Sequence, residues 1–363
     1  PALAGVTALF FNQYSFMLPI IDGHNDVLLR LHEKKTVSPA RDFIDGDGLG
    51  QMDLPRIRAG GMGGGFFAIF SPGSHETVPD DDEDLNPPYA GALSQRAADR
   101  SAKAMLDIRD AIFAGAKGAV TPCTTAAEMR AAMDARTLGF ITHIEGAEAI
   151  KPDLSNLQDY YDRGLRSLGP VWSRPNVFAT GVPFRFPGSP DQGSGLTVEG
   201  VALVKTCNAM GIMVDCSHIT ERGFWDIAKT STAPIVATHS NAHAIASSSR
   251  NLTDEQLRAI GASRGMVGLN FATGFLRPDG RWNTDTGLDV MLRHLDHMIT
   301  LAGEDCVGFG SDFDGARIPA AIGDAAGLPN LVTAMEAAGY GAALIGKITS
   351  GNWLRVLHET WGA

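Results

Sequence analysis

Polar side chains of the kinds that bind divalent metals follow five apolar runs of this chain. The five motifs are Asp22-Gly-His24-Asn-Asp26, His143-Ile-Glu145-Gly, Asp215-Cys-Ser-His218, Thr238-His239-Ser240 and Gly310-Ser-Asp312-Phe-Asp314-Gly. Imidazole and carboxylate ligands suit Zn²⁺ or a similar divalent ion. His24 and Asp26 lie two residues apart, so an extended backbone would point both side chains to the same side. Taken together, the motifs predict a divalent-metal site.

Each of these residues also has a simpler structural explanation when it is taken alone. A single histidine at a strand end is more often a hydrogen-bonded structural residue than a ligand, and Glu145 or Asp312 could cap a helix. That explanation fails for the set, because buried carboxylates and imidazoles that converge need a cation to offset their desolvation. His143 lies two residues before Glu145, so both side chains should point to the same side of the strand. His143 is therefore a candidate for a hydrogen bond to a metal ligand.

The apolar runs before these motifs belong to a regular alternation of strands and helices. Eight runs are typical of strands: Leu18–Ile21, Gly65–Phe70, Phe140–Ile144, Leu165–Val171, Ile212–Asp215, Pro234–Thr238, Met266–Asn270 and Cys306–Gly310. Helical spacing of apolar residues predicts helices at Ala92–Ala114, Val198–Met210 and Leu288–Ala302. Capping boxes begin at Thr125 and Thr253. Eight such units predict a closed (β/α)8 TIM barrel, an α/β fold whose active site lies at the C-terminal ends of the strands. An open doubly wound sheet is the alternative.

Composition narrows the functional classes. The chain has 363 residues and a net charge of −11, which argues against a nucleic-acid-binding protein because such proteins need a basic face. No apolar run reaches the roughly 18 residues that a membrane anchor requires. Its four cysteines show no CxxC spacing, which is typical of free thiols in a reducing compartment and predicts a cytoplasmic protein. We expect residues 1–16 to be an N-terminal extension that precedes a start at Met17, and residues 17–363 to form one catalytic domain.

The order of the five motifs resembles the signature set of the membrane (renal-type) dipeptidase family, from about Leu18 to Trp353. This family belongs to the amidohydrolase superfamily of metal-dependent barrel hydrolases. The resemblance implies a dipeptidase with two Zn²⁺ ions per subunit, a small dipeptide as substrate, tolerance of a D-residue at the C-terminal position, and a homodimer. It further implies that a hydroxide bridging the two metals attacks the peptide carbonyl.

The resemblance also implies a role for each motif residue. His24 and Asp26 would bind the first zinc, Glu145 would bridge both zincs, and His218 and His239 would bind the second. Asp312 would lie beside the first zinc and transfer protons. Arg250 would hold the C-terminal carboxylate of the substrate through paired hydrogen bonds.

One position departs from the better-known members of this family. They carry a histidine after the fourth strand that contacts the substrate carbonyl, whereas this chain has Trp172 in Val171-Trp172-Ser173-Arg174. The indole N–H of Trp172, or the side chain of Arg174 or Asn176, could supply the missing hydrogen bond. Bacterial-type members of the family resemble this chain in having a tryptophan at this position. We therefore interpret the replacement of the histidine by Trp172 as a difference in substrate preference.

Two other functions remain open from the sequence. A related amidohydrolase could use the same site on another amide or lactone that bears a carboxylate. Such enzymes usually bridge their metals with a modified lysine on strand four, where this chain has no lysine. A non-catalytic metal-binding barrel is the other alternative, and the complete set of ligands argues against it. We expect the loops Pro72–Tyr89 and Gly181–Gly195 to set the side-chain preference.

Overall fold

The computed structural model describes residues 19–34, 36–73 and 86–362. Within these ranges strands and helices alternate, and the strands are β1 (Ile20–Asn25), β2 (Met62–Phe70), β3 (Val120–Pro122), β4 (Leu138–Glu145), β5 (Leu165–Gly169), β6 (Met213–Val214), β7 (Val236–Ala237), β8 (Met266–Leu269) and β9 (Val307–Phe309). The predicted extension at residues 1–16 lies outside the described residues.

Eight of the strands form a nearly closed parallel barrel. Their order is β6-β5-β4-β2-β1-β9-β8-β7, and β3 pairs with β4 outside this path. The end strands β6 and β7 meet through a parallel bridge between Asp215 and Val236, and the Cys216 N–H donates to the Val236 carbonyl at 2.7 Å. The predicted (β/α)8 barrel is therefore confirmed, and the open sheet is excluded.

The helices surround the barrel, and they are α1 (Val27–Glu33), α2 (Pro39–Asp45), α3 (Leu54–Ala59), α4 (Gln95–Gly115), α5 (Ala126–Asp134), α6 (Leu157–Asp162), α7 (Val198–Met210), α8 (Glu221–Thr230), α9 (Asp254–Ala262), α10 (Thr273–Leu276), α11 (Leu288–Ala302), α12 (Leu328–Ala337), α13 (Ala342–Gly346) and α14 (Asn352–Trp361). Both predicted capping boxes are formed, at Thr125 with Glu128 and at Thr253 with Gln256. Among the described residues, no helix combines the length and the hydropathy that crossing a membrane requires.

Close packing beneath the first motif fixes the path of β1. The Trp353 side chain is fully buried, and its indole N–H donates to the Phe309 carbonyl at 3.0 Å. A Cβ atom at Gly23 would lie 2.5 Å from the Trp353 ring and 2.4 Å from the Thr238 carbonyl oxygen. Only glycine therefore fits between Asp22 and His24, and this contact holds His24 at the C-terminal rim of the barrel.

Candidate metal centre and active site

Side chains from three strand ends converge on a carboxylate at the end of a fourth strand. Glu145 is the last residue of β4, and its Oε1 atom lies 3.6 Å from His24 Nε2, 3.0 Å from His218 Nε2 and 3.4 Å from His239 Nε2. All four side chains are buried. The parallel barrel explains the convergence, because it brings the C-terminal ends of its strands to one rim.

Three overlapping groups of side chains could each hold a metal ion. They are His24 with Asp26 and Glu145, Glu145 with His218 and His239, and His24 with His239 and Asp312. The candidate ligand atoms in each group lie within 4.8 Å of one another. Asp26 Oδ1 is buried and has no hydrogen-bond partner among the described residues. Nitrogen and oxygen donors with an unsatisfied buried carboxylate oxygen fit divalent cations such as Zn²⁺.

The electrostatics of the cluster also favour a cation. Burial raises the pKa of Glu145 well above its usual range, and the Asp26 and Asp312 carboxylates raise it further. Burial also raises the pKa of Asp312. Burial opposes protonation of His24, but the nearby Glu145 and Asp26 carboxylates outweigh it and raise the pKa of His24 to about 10. Clustered carboxylates that burial drives toward protonation are a charge arrangement that a divalent cation offsets.

Two of the residues at this rim adopt a backbone conformation that is uncommon outside glycine. His218 has a φ of 65° and Asp312 a φ of 62°. The Asp312 N–H donates to the His24 carbonyl at 3.0 Å, which ties the loop after β9 to the end of β1. Residues held in such conformations cluster at functional sites, where the surrounding structure maintains them.

A cavity of about 220 Å³ opens above the candidate ligands Asp26, Glu145, His218 and Asp312. One part of its wall is aromatic and is formed by Phe70, Trp172, Phe184, Phe275 and Trp282. Phe184 belongs to the 181–195 loop that the sequence singled out. Residues 74–85 of the other predicted specificity loop lie outside the described part of the chain.

The residues predicted to contact substrate occupy different surroundings. Trp172 lines the cavity, with its ring centroid 5.7 Å from that of His218. Arg250 is buried beside the candidate ligands, and its Nε atom lies 3.0 Å from His218 Nδ1. Its terminal nitrogens donate to Ser240 Oγ and the His239 carbonyl.

Arg174 and Asn176 make contacts away from the candidate ligands. Arg174 is fully buried and donates to Glu148 Oε1 and to the Ser71 carbonyl, both at 2.7 Å. Asn176 donates to the Pro170 carbonyl, and its own carbonyl oxygen accepts from the backbone of Phe178 and Ala179. Asn176 lines a separate groove together with Glu148. The structure therefore brings Trp172 to the cavity wall, whereas Arg174 and Asn176 stabilise the loops behind it.

Sequence reasoning missed several hydrogen-bond partners of the candidate ligands. The Asn270 amide donates to Asp312 Oδ2 at 2.9 Å, and Ser173 Oγ lies 2.8 Å from His218 Nδ1. Asn270 ends a predicted strand, so the rule that selected the five motifs could also have selected it. His143 does not belong to any of the three groups; its Nδ1 atom lies 2.9 Å from Ser167 Oγ.

Comparison with known proteins agrees with this geometry. A profile of the membrane dipeptidase family (peptidase family M19) matches residues 11–361. The chain belongs to this family. Among solved structures, it is similar to a metallo peptidase from Rhodobacter sphaeroides that was crystallised with a phosphinate mimic of the dipeptide L-Ala-D-Ala. The two are 50% identical, with a TM-score of 0.93 over 95% of this chain and 100% of that one.

Two further relatives extend the comparison. A crystal structure described as dipeptidase AC, a metallo peptidase of family M19, is 50% identical, with a TM-score of 0.91 over 96% of this chain and 100% of that one. A protein of Klebsiella pneumoniae, described as an uncharacterized protein in the pqqA 5' region, is 46% identical over 256 residues, which are 70% of this chain and 94% of its own. As a member of the M19 family, the chain is a barrel hydrolase of the metallo-dipeptidase type.

Proposed function

We propose that this chain hydrolyses dipeptides with two Zn²⁺ ions, which its own residues hold on either side of Glu145. The observation that carries the proposal is the position of Glu145 Oε1. It lies within 3.6 Å of the His24 imidazole on one side and of the His218 and His239 imidazoles on the other. His24, Asp26 and Glu145 would hold one ion, and Glu145, His218 and His239 the other. Asp312 lies beside His24 in the third group.

The two ions would supply a water molecule of lowered pKa and would polarise the scissile carbonyl. Asp312 lines the cavity, so it can accept a proton from the attacking water and return it to the leaving amine. The Asn270 amide donates to Asp312 Oδ2 and leaves Oδ1 to receive that proton. Trp172 contributes to the aromatic wall and excludes bulk water from this side of the cavity.

Arg250 would bind the free C-terminal carboxylate of the dipeptide. Its guanidinium group lies between the His239 carbonyl and the aromatic ring of Phe275, 5.8 Å from the ring centroid. A fixed cation next to the reacting centre favours a substrate whose carboxylate follows the scissile bond by one residue, and therefore a dipeptide over a longer peptide. We also propose that the C-terminal residue can have the D configuration, because the similar Rhodobacter sphaeroides enzyme was crystallised with a mimic of L-Ala-D-Ala.

Metal analysis combined with a substrate panel tests this function. The panel contains L-Xaa-D-Xaa and L-Xaa-L-Xaa dipeptides, and the same peptides with an amidated C-terminus serve as matched controls. We expect two zinc equivalents per chain and hydrolysis of the free dipeptides only. Two bound equivalents without hydrolysis of any dipeptide would refute the proposal and favour a metal-binding barrel. Hydrolysis of a carboxylate-bearing lactone in preference to every dipeptide would favour another amidohydrolase activity.

A further inference from the structure

The hydroxyl group of Thr238 lies between a buried carboxylate and a candidate metal ligand. Thr238 Oγ1 is 2.6 Å from Asp215 Oδ2 and 2.8 Å from His239 Nδ1. All three residues are at most 1% exposed. Asp215 and Thr238 directly follow the strands β6 and β7. The same contact therefore links the Asp215-Cys-Ser-His218 motif to the Thr238-His239-Ser240 motif.

The directions of these hydrogen bonds follow from the chemistry of the groups. Asp215 Oδ1 accepts from the backbone N–H groups of Ser217 at 2.9 Å and Thr238 at 2.8 Å. The Thr238 hydroxyl donates its single proton to Asp215 Oδ2. Thr238 Oγ1 can then only accept from the other side, which requires that His239 carries its proton on Nδ1.

This arrangement determines which nitrogen of His239 is free. With the proton on Nδ1, the lone pair of the neutral ring is on Nε2. His239 Nε2 is the atom that lies 3.4 Å from Glu145 Oε1 and 3.0 Å from His218 Nε2. The free lone pair therefore points to the place where the second group of ligands converges.

We propose that Thr238 and Asp215 are positioning residues, which hold His239 in the tautomer and orientation that bind the cation between Glu145, His218 and His239. Asp215 thus acts on the histidine of the next motif. The first group lacks an equivalent device, because His24 Nδ1 is buried without a hydrogen-bond partner in the described residues. This inference rests on the proposed function, since it assigns partners to one of its two metal positions.

Three variants separate this role from simple packing. Thr238→Val keeps the shape of the side chain but removes the hydroxyl group, and Thr238→Ser restores it. Asp215→Asn reverses the chain of hydrogen bonds. Its carbonyl oxygen must occupy the Oδ1 position, where two N–H groups donate, so its amino group faces Thr238. The hydroxyl then donates to His239 Nδ1 and moves the imidazole proton to Nε2.

A matched control is available at Thr273. Its side chain is fully buried, and its Oγ1 atom has no hydrogen-bond partner among the described residues. Thr273→Val removes a buried hydroxyl without touching His239. Loss of cation affinity in this variant equal to that in Thr238→Val would show a general packing effect and would overturn the proposal.

The first measurement uses metal-free protein and long-range ¹H–¹⁵N spectra of the histidine rings. We expect His239 to be protonated on Nδ1 in the wild type and on Nε2 in Asp215→Asn. The same tautomer in both proteins would overturn the proposal. This readout needs neither bound metal nor turnover, so it remains decisive even if the proposed dipeptidase activity is not found.

The second measurement is zinc affinity by competition with a chelator. Removing such an outer partner typically weakens metal binding by about 10- to 100-fold. We expect that loss for one of two zinc equivalents in Thr238→Val and Asp215→Asn, with wild-type affinity in Thr238→Ser and Thr273→Val. Wild-type affinity at both positions in Thr238→Val would contradict the inference. Absence of two zinc equivalents in the wild type would instead contradict the proposed function.

Discussion

Replacing Glu145 with Gln should affect the metal-free and metal-loaded proteins in opposite directions. The change keeps the shape of the central side chain but removes its negative charge. Burial raises the pKa of Glu145, so the folded protein disfavours the ionised carboxylate relative to the unfolded chain, and this costs stability above the unfolded pKa of about 4.3. The neutral amide has no such cost. Metal-free Glu145→Gln should therefore be at least as stable as the wild type at pH 8.

The metal-loaded protein should show the reverse. At a free zinc concentration of 100 times Kd, each bound ion stabilises the fold by about 2.7 kcal/mol, or about 5.4 kcal/mol for two. A chain of 363 residues has an unfolding entropy of about 0.8 kcal/mol per degree, so the wild-type Tm should rise by about 7 °C. A hundredfold weaker affinity at both positions would leave about 0.4 kcal/mol per ion, or about 1 °C in total.

Differential scanning calorimetry of both proteins, with and without zinc, measures these shifts. Glu148→Gln is a matched control, because Glu148 is a buried glutamate only three positions further on and bonds to Arg174 at 2.7 Å. We expect this control to be less stable without metal and to retain the full shift with zinc. A zinc-induced shift in Glu145→Gln equal to that of the wild type would refute the assignment of Glu145 to both cations.

Three further predictions concern proton transfer, substrate anchoring and surface charge. Asp312→Asn should retain two zinc equivalents by metal analysis, but its kcat should fall by about 10²- to 10⁴-fold because the general base is missing. A kcat near that of the wild type would exclude Asp312 as the general base. Arg250→Met should reduce kcat/KM for free dipeptides by about 30- to 1,000-fold and bring the ratio of free to amidated substrates close to one, whereas an unchanged ratio would exclude carboxylate binding by Arg250. Burial opposes ionisation of Asp47, but Lys34 and Arg30 outweigh it and lower its pKa to about 2. Asp47→Asn should therefore cost about 1 kcal/mol of unfolding free energy at pH 7, and urea titrations should show this difference disappearing as the pH falls from about 4 to 2; a difference independent of pH would contradict the ion pairs.

The sequence predicts most of the barrel and the motifs at its rim, because both depend on local patterns. The apolar runs Phe140–Ile144 and Cys306–Gly310, which precede Glu145 and Asp312, fall on β4 and β9. The small strand β3 at Val120–Pro122 is not predicted, since its sequence Val-Thr-Pro is not an apolar run. The runs Ile212–Asp215 and Pro234–Thr238 contain strands of only two residues. β7 ends where the Thr238 N–H donates to the Asp215 side chain.

Contacts between distant segments could not be predicted. The hydrogen bond from Asn270 to Asp312 joins residues that are 42 positions apart, and its existence depends on the register of β8 against β9. The burial of Arg174 against Glu148 could not be predicted either, because Glu148 lies on a distant segment, the loop after β4. The left-handed backbone at His218 and Asp312 could not be predicted either, because His and Asp adopt this conformation more often than most residues but still only in a small fraction of cases.

Anomalous diffraction from crystals of the zinc-loaded protein tests the central claim most directly. The account predicts two zinc peaks about 3.5 to 4 Å apart, each about 2.0 to 2.2 Å from a carboxylate oxygen of Glu145. His24 and Asp26 should contact one peak, and His218 and His239 the other. A single peak, or two peaks of which only one contacts Glu145, would contradict the account.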